Sequence, residues 1–174
     1  TFIHDTRNHT LIPTTGMRLT MGAYLAGGPL GMDTDYYGFE SRVARHWTLW
    51  WRHVLSLRAW AAVVEEYGQS EDVYTPNRLY LGGAYTMRGF KYRRVGPRDE
   101  RTHEPLGGKS AVMASAEYTI PVIKMLRFAT FYDIGNVWLN AYEFQLDEYC
   151  SDAGIGLRID FPLFPIRLDY AWPL

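Results

Sequence analysis

Seven stretches of this chain alternate apolar and polar residues with a period of two, and that pattern leaves little besides an antiparallel β-sheet. In Met17–Leu25 the odd positions are Met17, Leu19, Met21, Ala23 and Leu25, opposing Arg18, Thr20, Gly22 and Tyr24. The alternation returns in Tyr37–Leu49, Leu55–Val63, Val112–Ile120, Leu126–Gly135, Ala153–Phe161 and Ile166–Trp172. Phe2–Arg7 reads as the end of one more strand. Within Tyr37–Leu49 the apolar face is broken once, by Arg45. Tight turns are expected at Pro13–Gly16, Pro121–Lys124 and Pro162–Pro165, and one long connection at Gly68–Gly108. An up-and-down meander with short links at one end and long links at the other is the layout of an outer-membrane barrel.

Both faces of these strands bear on the choice of medium. A soluble sandwich buries its apolar face and solvates the other, which gives the same alternation. Here charges of both signs recur mid-strand on the polar face, while Tyr37, Trp47, Trp50, Trp51, Tyr118, Trp138, Tyr170 and Trp172 cluster near strand ends. Aromatic residues are 16% of the chain, enough to supply two membrane-interface girdles. The apolar face then meets lipid and the charged face lines a lumen. No stretch approaches the roughly 18 apolar residues of a membrane helix. A formal net charge of −1 and basic residues spread singly, apart from Arg93-Arg94, argue against nucleic acid. Cys150, the single cysteine, cannot form an internal disulfide and reads as an unpaired loop thiol. The five histidines show no metal spacing, no Ser-His-Asp or Gly-x-Ser-x-Gly arrangement appears, and no cofactor is implied. The chain starts at Thr1 without a leader and reads as a mature or excised piece.

The long connection carries Met87-Arg88-Gly89-Phe90 in a Gly- and Tyr-rich setting. A guanidinium turned into a lumen leaves bulk water and needs an anion. Two acids lie mid-strand on the charged face: Glu117, and Asp133 in the run Phe131-Tyr132-Asp133-Ile134-Gly135. Phe131, Asp133 and Gly135 share one face. Gly135 would leave room above the carboxylate, and Gly89 would let the loop turn sharply after Arg88. The spacing alone leaves two pairings open: Arg88 on these acids, or the acids on the wall arginines Arg127, Arg158 and Arg167 with Arg88 solvated.

These motifs resemble the C-terminal half of the barrel of the BamA/TamA superfamily, the bacterial surface-antigen family of outer-membrane assembly factors. The resemblance runs over nearly the whole chain. It rests on Asp5-Thr6-Arg7-Asn8 with Pro13-Thr14-Thr15-Gly16, on Arg78 to Gly83 with Met87-Arg88-Gly89-Phe90, on Val95 to Asp99 with Gly107-Gly108, on Glu117 with Phe131-x-Asp133-x-Gly135, and on Pro165 to Ala171. Met87 departs from the β-branched residue usual at its position. The resemblance implies an all-β, antiparallel meander transmembrane β-barrel. Residues 1–174 would be about half, seven or eight strands, of a barrel of about sixteen, with the final strand absent. A small eight-stranded barrel closing on itself is the alternative. Residues 68–108 would fold inward, with Arg88, Gly89 and Phe90 locked against Glu117, Phe131, Asp133 and Gly135. The implied role is non-enzymatic: a bacterial outer-membrane factor that templates insertion of β-barrel proteins, or moves proteins across that membrane. Its partners would be outer-membrane lipids, unfolded outer-membrane protein substrates, and accessory assembly proteins or another chain completing the barrel. A passive porin or surface antigen, and the barrel anchor of a patatin-like lipase, are the competing roles.

Overall fold

The computed structural model describes residues 1–28, 35–68, 72–145, 147–161 and 164–174. In them, eight strands form one antiparallel sheet in chain order: β1 (Phe2–Asp5), β2 (Gly16–Ala26), β3 (Tyr36–Thr48), β4 (Val54–Glu66), β5 (Ser110–Ile123), β6 (Leu126–Trp138), β7 (Cys150–Asp160) and β8 (Pro165–Pro173). Strands β2 to β7 are 11 to 14 residues long. A tilted strand needs about 9–11 residues to cross a bilayer, so each can span one. One rim carries the connections 6–15, 49–53, 124–125 and 161–164, and the other carries 27–35, 67–109 and 139–149.

Three expected boundaries moved, each for a local reason. The reversal between β1 and β2 takes ten residues, 6–15, because Asn8 builds a wider loop than a four-residue turn. The Thr14 and Thr15 amides donate to Asn8 Oδ1 at 3.0 and 3.1 Å, and Asn8 Nδ2 donates to Thr14 Oγ1 at 2.8 Å. Strand β5 runs through Pro121 and turns only at 124–125. A register shift between Pro121 and Ile123 absorbs the missing amide donor. Cys150 is not in a loop: it opens β7, half-buried against the loop-packed core. The Pro162–Pro165 turn lies partly outside the described residues.

The sheet curves without closing. β1 and β8 are its two outer strands and do not pair with each other, so the small self-closed barrel is not formed. The concave space is filled by chain instead. Leu81, Met87 and Val95 of the 67–109 connection pack on Ala111 and Met113 of β5 and Val137 of β6. The convex face keeps Met21, Phe39, Leu57, Ile155, Leu157 and Leu168 exposed. Large apolar side chains in open contact with the medium are what a lipid-facing wall presents.

Candidate functional site: a loop arginine held in the barrel wall

The 67–109 connection is pinned to itself and to the sheet before it reaches the site. Leu79 exchanges backbone hydrogen bonds with Gly108 at 2.8 and 3.0 Å, and the Val95 amide donates to the Leu81 carbonyl at 3.2 Å. Gly82 and Gly83, both at positive φ (108° and 107°), start the reversal that brings 87–90 inward. The Phe90 amide then donates to the Met87 carbonyl at 3.3 Å, so Arg88 and Gly89 form the tip of a tight turn. Met87 is wholly buried in the core cluster and Phe90 packs beside it. These two apolar anchors bracket the arginine, which leaves its side chain little choice of direction.

The Arg88 guanidinium lies against the concave wall. Its Nε and Nη2 donate to Asp133 Oδ2 and Oδ1, both at 2.8 Å, a bidentate fork. Nη1 donates to Glu117 Oε2 at 2.6 Å and Nη2 to Ser115 Oγ at 3.1 Å. The Arg88 amide also donates to Asp133 Oδ2, at 3.3 Å. The guanidinium carbon sits 3.4 Å from the centroid of the Phe131 ring, so one face of the planar group is covered by a π-system while its in-plane donors reach the acids. Side-chain exposure is 2% for Arg88 and 0% for Asp133, so the pair is withdrawn from water. Strand register explains the grouping: Ser115 lies opposite Asp133, and Glu117 opposite Phe131.

Of the seven residues expected at the site, Arg88, Glu117, Phe131 and Asp133 meet, Phe90 packs in the neighbouring core, and the two glycines serve otherwise than the sequence suggests. Gly89 is not at positive φ. A Cβ there would stand 2.5 Å from Asp152 Cβ and 3.0 Å from the Trp172 carbonyl carbon, so glycine is required by close approach to β7 and β8. A Cβ at Gly135 would meet the Val112 carbonyl oxygen at 2.5 Å, so the crowding there comes from β5 and not from the loop.

The choice between two pairings dissolves, because Glu117 serves both. Arg158 Nη2 donates to Glu117 Oε2 at 2.8 Å and its Nε to Oε1 at 3.2 Å, while Nη1 reaches Asp169 Oδ1 at 2.5 Å. Arg167 lies 3.3 Å from Asp169, and Arg58 Nη2 donates to Ser115 Oγ at 3.1 Å. Arg127 is elsewhere, forked onto Asp160 at 2.7 Å. The network thus runs across β4, β5, β6, β7 and β8 with the loop arginine at its centre.

Sequence reading missed Asp152. It is fully buried on β7, opposite Asp133 in register. The Gly89 backbone and the Asp133 carboxylate are its polar neighbours, yet neither Asp152 oxygen makes a hydrogen bond of proper geometry. Its signal was available: Asp152, Gly154, Gly156 and Arg158 share one parity, the concave one.

The model of the Omp85 superfamily domain matches residues 1–174. The outer membrane protein assembly factor BamA of Nitratidesulfovibrio vulgaris is 31% identical over 177 residues, covering 99% of this chain and 22% of that protein. A SAM50-like protein of Schizosaccharomyces pombe is 27% identical over 193 residues, covering all of this chain and 39% of that protein. This chain therefore spans well under half the length of these relatives. The crystal structure of BamA from Haemophilus ducreyi lacking POTRA domains 1–3 superposes with a TM-score of 0.83 at 24% identity, over 99% of this chain and 37% of that one. At that identity the likeness speaks to fold.

Proposed function

We propose that this chain, which belongs to the Omp85 superfamily, is the barrel part of an outer-membrane assembly factor in which Arg88 locks the 67–109 connection inside the lumen. The observation that carries the reading is the water-excluded fork from Arg88 to Asp133, backed by Glu117 and capped by Phe131. A desolvated pair of this kind is expensive to break, since removing one partner strands the other charge. It therefore suits a brace that keeps one part of the wall rigid while other strands of the complete protein receive a substrate. The role is mechanical and non-enzymatic. Its substrates are unfolded β-barrel proteins and its membrane is a bacterial outer membrane, with accessory proteins or the remaining strands completing the assembly. A loop-filled lumen suits this role better than a passive pore.

Reconstitution tests it. The full-length protein in phospholipid vesicles is expected to speed folding of an urea-unfolded outer-membrane barrel, and Arg88→Ala to abolish most of that gain while still inserting. No acceleration by the wild type would refute the assembly role. Undiminished acceleration by Arg88→Ala would refute the lock.

A further inference from the structure

The convex, lipid-facing side carries one feature that the lock does not use. Among the described residues, Arg45 and Glu65 are the charged side chains whose register places them on this face, opposite Leu57 and Tyr37. Glu65, near the far end of β4, accepts a hydrogen bond from the Tyr37 hydroxyl. Arg45 makes no ion pair or side-chain hydrogen bond among the described residues; its guanidinium lies 5.1 Å from the Trp47 ring. It stands three residues before the end of β3 at Thr48, about 10 Å inside the rim. That rim is marked by Trp50 and Trp51, 65% and 80% exposed, as aromatic residues mark a membrane interface.

Two hollows meet at Arg45 and Trp47. One, of about 380 Å³, opens toward the rim and is edged by Thr6, Thr15 and Thr48. The other, of about 410 Å³, extends toward the membrane interior. Its floor is low because Ala59, Ala114 and Ala116 occupy adjoining register positions on β4 and β5, and Val43, Tyr132 and Ile134 wall it. A threonine-edged hollow, a cation and a still more apolar hollow follow one another from the rim inward.

We propose that this pair of hollows binds one glycerophospholipid of the leaflet at this rim. Its phosphate lies on Arg45, its headgroup among the threonines, and one acyl chain over the alanine floor. The inference rests on the membrane-barrel reading above. Charge decides the occupant: an unpaired guanidinium on a lipid-facing wall is costly without an anion, and the phosphate is the anion a bilayer brings within reach. The planar guanidinium accepts two phosphate oxygens at once, and Trp47 supports its flank.

The test uses the full-length protein in nanodiscs of phosphatidylethanolamine and phosphatidylglycerol, extracted into mild detergent and weighed by native mass spectrometry. The wild type is expected to retain one phospholipid. Arg45→Gln is expected to lower that retention roughly tenfold, the loss of one charge-assisted contact. Ala114→Trp fills the floor and should lower it with Arg45 intact, whereas Leu168→Trp, on the same face but on β8, should not. Equal retention in the wild type and Arg45→Gln overturns the site, as does equal retention of diacylglycerol, which lacks the phosphate. Failure of the wild type to insert into the nanodisc would sink the membrane reading as well, so the two failures are distinguishable.

Discussion

Arg88 and Arg45 sit on opposite sides of one curved sheet. Arg88 is 2% exposed and spends its donors on Asp133, Glu117 and Ser115, with Phe131 beneath it. Arg45 is exposed and touches Trp47. On the concave side the wall itself supplies carboxylates at the matching height, so the arginine becomes part of the fold. On the convex side the wall supplies alanines, and an anion has to come from the surroundings. The medium facing each side of the sheet, more than the residue type, determines what an arginine contributes.

The largest predicted effect breaks the concave half of this contrast. Arg88→Ala should cost about 3–5 kcal/mol, because Asp133 is left buried and unpaired. It would appear as earlier loss of the compact, heat-modifiable band. Arg88→Lys should recover only part of the loss, since an ammonium cannot reproduce the fork. Arg45→Gln should change stability by no more than about 1 kcal/mol, the scale for a lipid-face charge near an interface.

Next in size is Gly89→Ala. Its methyl group would press on Asp152 and the Trp172 backbone, at a cost of about 1–3 kcal/mol, with the loop displaced from β7 and β8. Protease nicking within 67–109 of otherwise folded protein would report that displacement. Asp152→Asn should instead stabilise the barrel by about 1 kcal/mol in the same band-shift assay, because it removes a buried carboxylate facing Asp133. A loss of stability would mean that the Asp152 charge is needed by Arg88.

The smallest effect lies in the loop, away from the wall. The Thr102 amide, the Thr102 hydroxyl and the Arg101 amide all donate to Asp99, which holds its carboxyl below the ordinary 3.8. A depressed acid contributes stability above its unfolded value and loses it as pH falls through the folded one. Protection of the Arg101 and Thr102 amides, taken as exchange relative to the unfolded chain at the same pH, should therefore hold at neutral pH and fall only as acid protonates Asp99. The Arg88 turn should keep its protection across the same range.

Much of this was legible from period-two alternation, because parity alone assigns a face. It placed Glu117, Phe131, Asp133 and Gly135 together, and it isolated Arg45 on the apolar side. Parity does not give height. That Ser115, Asp133 and Asp152 form one row follows from the register of β5, β6 and β7, which turn lengths and the Pro121 bulge set jointly. This is why Asp152 escaped notice and why Arg158 looked like a competitor of Arg88 for an acid that holds both. The steric demand at Gly89 was hidden for a related reason, since the approach comes from strands more than sixty residues later.

The central claim is that Arg88 and Asp133 act as one desolvated unit. A double-mutant cycle with Arg88→Ala, Asp133→Ala and the double variant, read by thermal unfolding of the full-length protein in nanodiscs, measures this directly. A coupling of about 2–3 kcal/mol is expected, with the loss in the double variant falling short of the sum of the two single losses by that amount. Additive losses, to within about 0.5 kcal/mol, would contradict the lock.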